Sequence, residues 1–307
     1  IGDGVAVLRD GKLGASVPKR EASREIIAEK MVGEAVPKPM RKAMATGEIL
    51  LKLTHVSAKD DDGQVVLRDL SFELRRHEVI GIAGVSGNGQ KPFSDMISGM
   101  MTPTSGNLSV HDQTVLNFDP KEMVARGIGR IPEDRHEQGV VGDFSVEENM
   151  ILETYEDHRF SRFGWLQKSA IAEHAKSLIS AFDIRGADPQ TVVRGLSGGN
   201  MQKVILSRVL ENQPQIILAN QPTRGLDVGA ATFVHEQLFK AREGGAGVVL
   251  ISEDLEELLA VSDRVAVMYH GQLSAVKDVK DVTLQQLGLL MSGEGFDAST
   301  DGEHHAA

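Results

Sequence analysis

The sequence predicts an α/β protein with a mostly parallel core sheet and a helical insert, and three observations carry that reading. Short apolar runs alternate with amphipathic stretches through the second half: "QIILAN" (215–220), a helix at 228–241, "GVVLIS" (247–252), a helix at 254–261 and "RVAVMYH" (264–270). Parallel neighbours need crossover connections of helix length, so this alternation points to them. An apolar strand, "EVIGIAG" (78–84), runs directly into the glycine loop "GVSGNGQK" (84–91). Residues 167–183 place Ile171, Ala175, Leu178, Ile179 and Phe182 on one helical face.

In chain order, the first feature is a repeat. Residues 1–34 align without a gap to residues 261–294, and ten pairs are identical: Asp3/Asp263, Val5/Val265, Ala6/Ala266, Val7/Val267, Gly11/Gly271, Leu13/Leu273, Ala15/Ala275, Met31/Met291, Gly33/Gly293 and Glu34/Glu294. Chance gives roughly two at average residue usage. The start is mid-element, on "IGDGVAVLRDGK", with no initiator Met. Residues 1–34 are therefore predicted to be the C-terminal tail of a truncated first domain, whose copy ends near residue 294. "AVPKPMRKAMATGE" (35–48) has two prolines, three basic residues and no apolar periodicity, so 35–47 reads as a linker. Residues 48–294 form the complete domain, and the polar 295–307 is predicted to be a disordered tail.

Within 48–294, residues 49–56 and 65–75 alternate as strands do. A helix can follow the loop from about Gly89, because Pro92 is tolerated in a first turn whose N–H groups lack intrahelical partners. Apolar residues make up 41% of the 307, enough for a sizeable core. A net charge of −11 supplies no broad basic footprint and argues against nucleic acid as a primary partner. The absence of cysteine excludes disulfides and thiolate metal sites and suits a reducing compartment. No apolar run approaches the ~20 residues of a membrane span. His304 and His305 form an isolated pair on the tail, and no residue is assigned to a metal.

Residues Gly84, Val85, Ser86, Gly87, Asn88, Gly89, Gln90 and Lys91 nearly satisfy the phosphate-loop pattern G-x-x-x-x-G-K-[ST], with Gln90 at the lysine position and Lys91 at the hydroxyl position. A dinucleotide reading fails because Pro92 stands where Gly or Ala is needed. A second motif, "LSGGNMQKV" (196–204), opens a helix with Ser197, Gly198 and Gly199, whose free N–H groups suit an anionic phosphate. A third is "IILANQPTRGLD" (216–227), an apolar strand followed by Pro-Thr and a Gly-Leu-Asp turn.

Glycine loop, LSGG and the strand ending in xxPTxxLD, in that order, resemble the ABC-transporter ATPase domain over residues 48–294. "IPEDRHEQGVVGDFSVEENM" (131–150) resembles the segment leading into the helical subdomain of sugar-type importers, and "ISEDLEELLAVSDRVAVMYHGQL" (251–273) resembles the switch strand and those after it. The resemblance implies a P-loop NTPase-like fold with an antiparallel β subdomain and a helical subdomain. Its further implications are tandem ATPase domains in one chain, of which this is the second, and attachment to the cytoplasmic side of a bacterial inner membrane. Implied partners are the first ATPase domain, membrane permease subunits and, indirectly, a substrate-binding lipoprotein. "GxxGNGQ" with "AxQPTRGLDVGA" is most similar to nucleoside importers fed by basic-membrane-protein-type lipoproteins, and ribose- and galactose-type importers match much of the chain too. Two alternatives stay open, a non-transport ABC protein and a binding module that holds nucleotide or partner without hydrolysis.

At the positions where the family does chemistry the sequence departs from the pattern. The lysine is Gln90, the Mg-binding hydroxyl Lys91, the Walker B aspartate Asn220, the glutamate that polarises water Gln221, the switch histidine Glu253 and the Q-loop glutamine Glu133. No aromatic stands in "HVSAKDDDG" (55–63), where the family often stacks adenine. The signature Leu196, Ser197, Gly198, Gly199 and Asn200 is intact, as is Asp227 of the D-loop. Loss of a cation beside a triphosphate costs about 1–4 kcal/mol at intermediate dielectric. Asn220 offers a neutral oxygen where Mg²⁺ prefers a carboxylate, and Gln221 cannot act as a base. Lys91 lies one helical position on, rotated by about 100°, so it does not overlay the usual ammonium. ATP is thus expected to bind weakly or not at all at this loop, and Mg²⁺ only at the partner domain's site. Since such domains pair head to tail, the intact signature would face the first domain's loop.

Overall fold

The computed structural model describes residues 3–9, 12–22, 26, 27, 30 and 41–296. The predicted linker at 35–40, the tail from 297 and most of 23–34 lie outside the described residues, and 41–47 is coil. Its centre is a seven-stranded sheet containing β5 (Val79–Ala83), β8 (Ile128–Ile131), β11 (Ile216–Asn220), β12 (Gly247–Ser252), β13 (Arg264–Tyr269), β14 (Gln272–Leu273) and β15 (Lys277–Asp278). The order β13-β5-β12-β11-β8 is parallel throughout, and β14 and β15 pair antiparallel with β13. Every residue of β5, β11 and β12 is buried, which is why these strands read as unbroken apolar runs rather than alternating ones.

The two faces of that sheet make two cores. On one, Val79, Ile217, Val248, Leu250 and Val267 pack against helices α5 (Gly198–Glu211), α6 (Val228–Glu243) and α7 (Leu255–Val261) through Ile205, Leu238 and Leu258. On the other, Ile80, Ile82, Leu218, Val249 and Met268 meet a four-stranded antiparallel sheet of order β4-β3-β6-β7, made of β3 (Ile49–Lys59), β4 (Val65–Arg75), β6 (Ser105–Val110) and β7 (Gln113–Thr114). Helix α1 (Gln90–Ile97) lies in the same core through Phe93, Met96 and Ile97. The insert carries α3 (Val146–Met150), a short antiparallel pair β9 (Ser161–Arg162) and β10 (Trp165–Leu166), and α4 (Lys168–Ala181), with a small core of Ile151, Phe160 and Ile171. A short α2 (Pro120–Ala125) precedes β8, and α8 (Leu284–Met291) closes the described fold.

The parallel core sheet, the antiparallel subdomain and the helical subdomain are all present, with one boundary corrected. Strand β3 runs to Lys59 rather than ending at 56. Its register with β4 shifts between Leu53 and Val56 and again beyond, and His55 has φ 50°, so the alternation breaks while pairing continues. Ile171, Ala175 and Leu178 are buried on α4, and Ile179 and Phe182 pack at the edge of the first core.

The repeat has a geometric counterpart. Strands β1 (Gly4–Arg9) and β2 (Lys12–Pro18) pair antiparallel with Gly4↔Pro18, Val5↔Val17, Leu8↔Leu13 and Arg9↔Lys12. The aligned positions pair identically around β13, as Arg264↔Asp278, Val265↔Lys277, Met268↔Leu273 and Tyr269↔Gln272. A 3-10 turn follows at Lys19–Glu21 and at Val279–Asp281. Among the described residues no helix is long and apolar enough to cross a membrane.

Candidate phosphate loop and signature site

Strand β5 delivers the glycine loop at its C-terminal end, and α1 leaves it. Gly87 and Gly89 have φ of 90° and 116°, a left-handed conformation that a side chain would strain. A Cβ at Gly89 would also lie 3.0 Å from Gly271 Cα, so the loop is pressed against the β13–β14 turn. Asn88 ties the two together: its Oδ1 accepts from the His270 N–H at 3.1 Å and its carbonyl from the Gly271 N–H at 2.8 Å.

Of the substituted side chains, Gln90 turns inward on the loop and Glu253 reaches it from the end of β12. Gln90 is 8% exposed, and its Nε2 donates to the Val85 carbonyl at 3.0 Å, tight against Gly84. Its Oε1 is buried without a hydrogen-bond partner, an orphan acceptor that costs about 1–3 kcal/mol. The Glu253 carboxylate accepts from the Ser86 N–H at 3.0 Å. Gln221, with φ 48°, has Oε1 3.5 Å from the Glu253 N–H it accepts from, and donates its own N–H to the Ile251 carbonyl at 2.8 Å. Gln221, Glu253 and Ser86 thus form a chain of contacts. The loop offers an orphan acceptor and a carboxylate to any anion, a poor fit for magnesium triphosphate.

Beside the loop lies a cleft of about 550 Å³ lined by Lys91, Asp95, Arg130, Glu133, Asn220 and Arg224, among others. Asn220 is buried at the end of β11. Lys91 Nζ pairs with Asp95 Oδ2 at 2.5 Å while its side chain stays largely exposed, so the lysine is both solvated and paired. Arg130 approaches the other Asp95 oxygen at 3.6 Å, and burial pushes its guanidinium pKa down against the pull of Asp95. Glu133 is bound by Arg224. Asp134 caps the following turn, and the N–H groups of Glu137 and His136 hold its carboxyl below the usual range. No group of three or more potential metal-ligating residues occurs among the described residues.

The signature opens α5. Ser197 is the N-cap, its Oγ accepting from the Asn200 N–H at 3.4 Å and from Asn200 Nδ2 at 3.1 Å. Asn200 Oδ1 in turn accepts from the Arg185 N–H at 3.0 Å. Leu196 packs at the edge of the first core, while Ser197 is exposed. A Cβ at Gly199 would lie 3.1 Å from Ala230 Cβ, so glycine lets α5 approach α6. Asp227 caps α6 through the Ala230 N–H at 2.8 Å.

Sequence reasoning missed Arg135, Arg224 and Glu257. Arg135 Nη2 donates to the Arg224 carbonyl, and its Nη1 lies 3.6 Å from where a Gly198 Cβ would sit, so it stands between the cleft and the signature. Glu257 is buried and accepts from Thr223 Oγ1 at 2.7 Å and from Ser252 Oγ, with His235 Nε2 at 2.6 Å. Burial pushes its carboxyl up, but those three partners together hold it below the usual range. All three sit inside the quoted motifs, but the pairing of Glu257 would have required knowing that α7 folds back onto the Thr223 turn.

Residues 67–224 match the family model for the ABC transporter. The chain belongs to that family. It is 40% identical over 294 residues to a guanosine import ATP-binding protein of Bacillus subtilis, covering 95% of this chain and 58% of that protein. It is 37% identical to a nucleoside import ATP-binding protein of Lactococcus lactis, with 95% and 58% covered. A ribose import ATP-binding protein of Rubrobacter xylanophilus is 34% identical, with 95% and 55% covered. The chain therefore spans little more than half the length of these relatives. Among solved structures, a dimeric ATP-binding cassette bound to ADP and phosphate superposes with TM-score 0.65 at 22% identity, over 76% of this chain and 100% of that one. That likeness establishes the ABC ATPase fold.

Proposed function

We propose that this chain is the second, degenerate ATPase half of a tandem ATP-binding protein serving a bacterial importer of a nucleoside or simple sugar. Residues 1–34 are the end of the first half, 35–47 the linker and 48–294 the second half. The matching pair registers of the β1–β2 hairpin and of β13 with its partners support the duplication. Its partners are the first ATPase domain of the same chain, membrane permease subunits on the cytoplasmic side of the inner membrane and, indirectly, a substrate-binding lipoprotein. The named relatives, import ATP-binding proteins for guanosine, nucleosides and ribose, support the cargo class.

One contrast carries the division of labour. Ser197 caps α5 from an exposed position with a glycine pair behind it, whereas the Gln90 side chain and the Ser86 N–H of the glycine loop are already engaged, by Val85 and Glu253. The first is arranged to meet an anion from outside, and the second is not. The signature N–H groups and the Ser197 hydroxyl would stabilise charge on a phosphate held by the first domain. ATP and Mg²⁺ belong to that site.

Uptake measurements test the transport reading. Bacteria lacking the gene are expected to take up at least one labelled nucleoside or simple sugar more slowly than the parent, and a permease should copurify with the tagged protein. Unchanged uptake of all of them, with no permease recovered, would overturn the importer reading.

A further inference from the structure

We infer that Glu253 is an internal anion that occupies the phosphate position of the glycine loop, so that nucleotide enters only when this carboxylate is displaced. The inference rests on the proposal that residues 84–91 are the nucleotide loop, and it deepens that proposal by naming what closes the site.

Three observations support it. The Ser86 N–H, one of the donors a glycine loop turns toward a phosphate, is already taken by Glu253 Oε1 at 3.0 Å. The carboxylate is held from behind, since its own backbone N–H meets Gln221 Oε1 at 3.5 Å and Gln221 is fixed to Ile251 by a 2.8 Å hydrogen bond. Inside the loop, where a lysine would neutralise charge, Gln90 is 8% exposed and presents an unpartnered Oε1. An acceptor there and a carboxylate at Ser86 both disfavour an incoming anion. The nearest ammonium, Lys91, is committed to Asp95 at 2.5 Å. The substitutions at 90, 221 and 253 therefore act as one device: the loop keeps its donors, and the protein supplies the anion.

The contact is direct and exposed on the solvent side, so it can open without unfolding. Removing the charge of Glu253 relieves repulsion, and removing the side chain also frees the Ser86 donor. Binding of ATP, and separately of tripolyphosphate, to the 307-residue chain is to be followed by calorimetry and by the Ser86 amide resonance. Glu253→Gln and Glu253→Ala are compared with the unaltered protein, and each variant's thermal midpoint checks that it is folded. Both are expected to bind ATP at least about tenfold more tightly, a difference of about 1.4 kcal/mol. Tripolyphosphate should move the Ser86 resonance in both variants and leave it nearly fixed in the unaltered chain. Equal affinities in all three proteins, with the Ser86 resonance moved equally in each, would overturn the internal-anion reading and leave the loop assignment standing. Shifts confined to residues outside 84–91 in every protein would instead overturn the loop assignment and this inference with it.

Discussion

Replacing Ser197 with Arg, or Gly198 with Asp, is expected to lower ATP hydrolysis by the full-length protein with its permease by at least about a hundredfold. The start of α5 offers uncompensated N–H groups and an exposed hydroxyl, the donor set that stabilises charge growing on a transferred phosphoryl group. Arginine at 197 fills that space, and aspartate at 198 sets a negative charge against the phosphate. Neither change threatens the fold. Losing the Ser197 cap costs about 1 kcal/mol. An aspartate at 198 would find Arg135, whose Nη1 is 3.6 Å from the Cβ position, and would sit favourably at a helix start. A loss of turnover in folded protein therefore reports the signature's role toward another domain. Normal turnover in both variants would end the donor assignment.

Replacing Arg242 with Met is expected to destabilise the chain by about 3–5 kcal/mol, read as a lower urea midpoint. Arg242 is 1% exposed near the end of α6. Its Nε donates to the His77 carbonyl at 3.0 Å, Nη1 to the Lys42 carbonyl at 2.9 Å and Nη2 to Asp263 Oδ1 at 2.9 Å. Asp263 Oδ2 in turn accepts from the Val79 N–H at 2.8 Å at the start of β5. Methionine fills the volume but leaves the part-buried His77 and Lys42 carbonyls without this donor and thins the charge around Asp263, where Arg41 remains at 3.7 Å. A change below about 1 kcal/mol would mean that water or Arg41 replaces the clamp.

The parallel sheet was legible because β5 is apolar throughout and β11 and β12 are apolar up to their last residues, Asn220 and Ser252, and few arrangements other than two-sided burial call for that. The antiparallel sheet was only half legible. Strands β3 and β4 alternate, but β6, "SGNLSV", is exposed over its first three residues and carries Gly106 at φ 81°, so it has neither period nor strand composition. Helices α3 and α8 could have been located from capping boxes, Ser145 with Glu148 and Thr283 with Gln286, both visible as short motifs. At the site, motif spacing marked candidate positions for the loop and signature but not how the side chains face one another. The Glu253–Ser86 and Glu133–Arg224 contacts join residues far apart in sequence, and only the strand order that sets β12 beside β5 and β11 makes the first of them possible.

ATP turnover by the purified 307-residue protein, with and without Mg²⁺, decides whether this chain has nucleotide chemistry of its own. In the proposed register Gln90, Asn220 and Gln221 stand in place of the phosphate-binding lysine, the metal ligand and the base, so phosphate release is predicted to stay at background in both conditions, even after Gln90→Lys. Steady, Mg²⁺-dependent hydrolysis that Gln221→Ala abolishes would show that the loop is a working catalytic site and not a degenerate one.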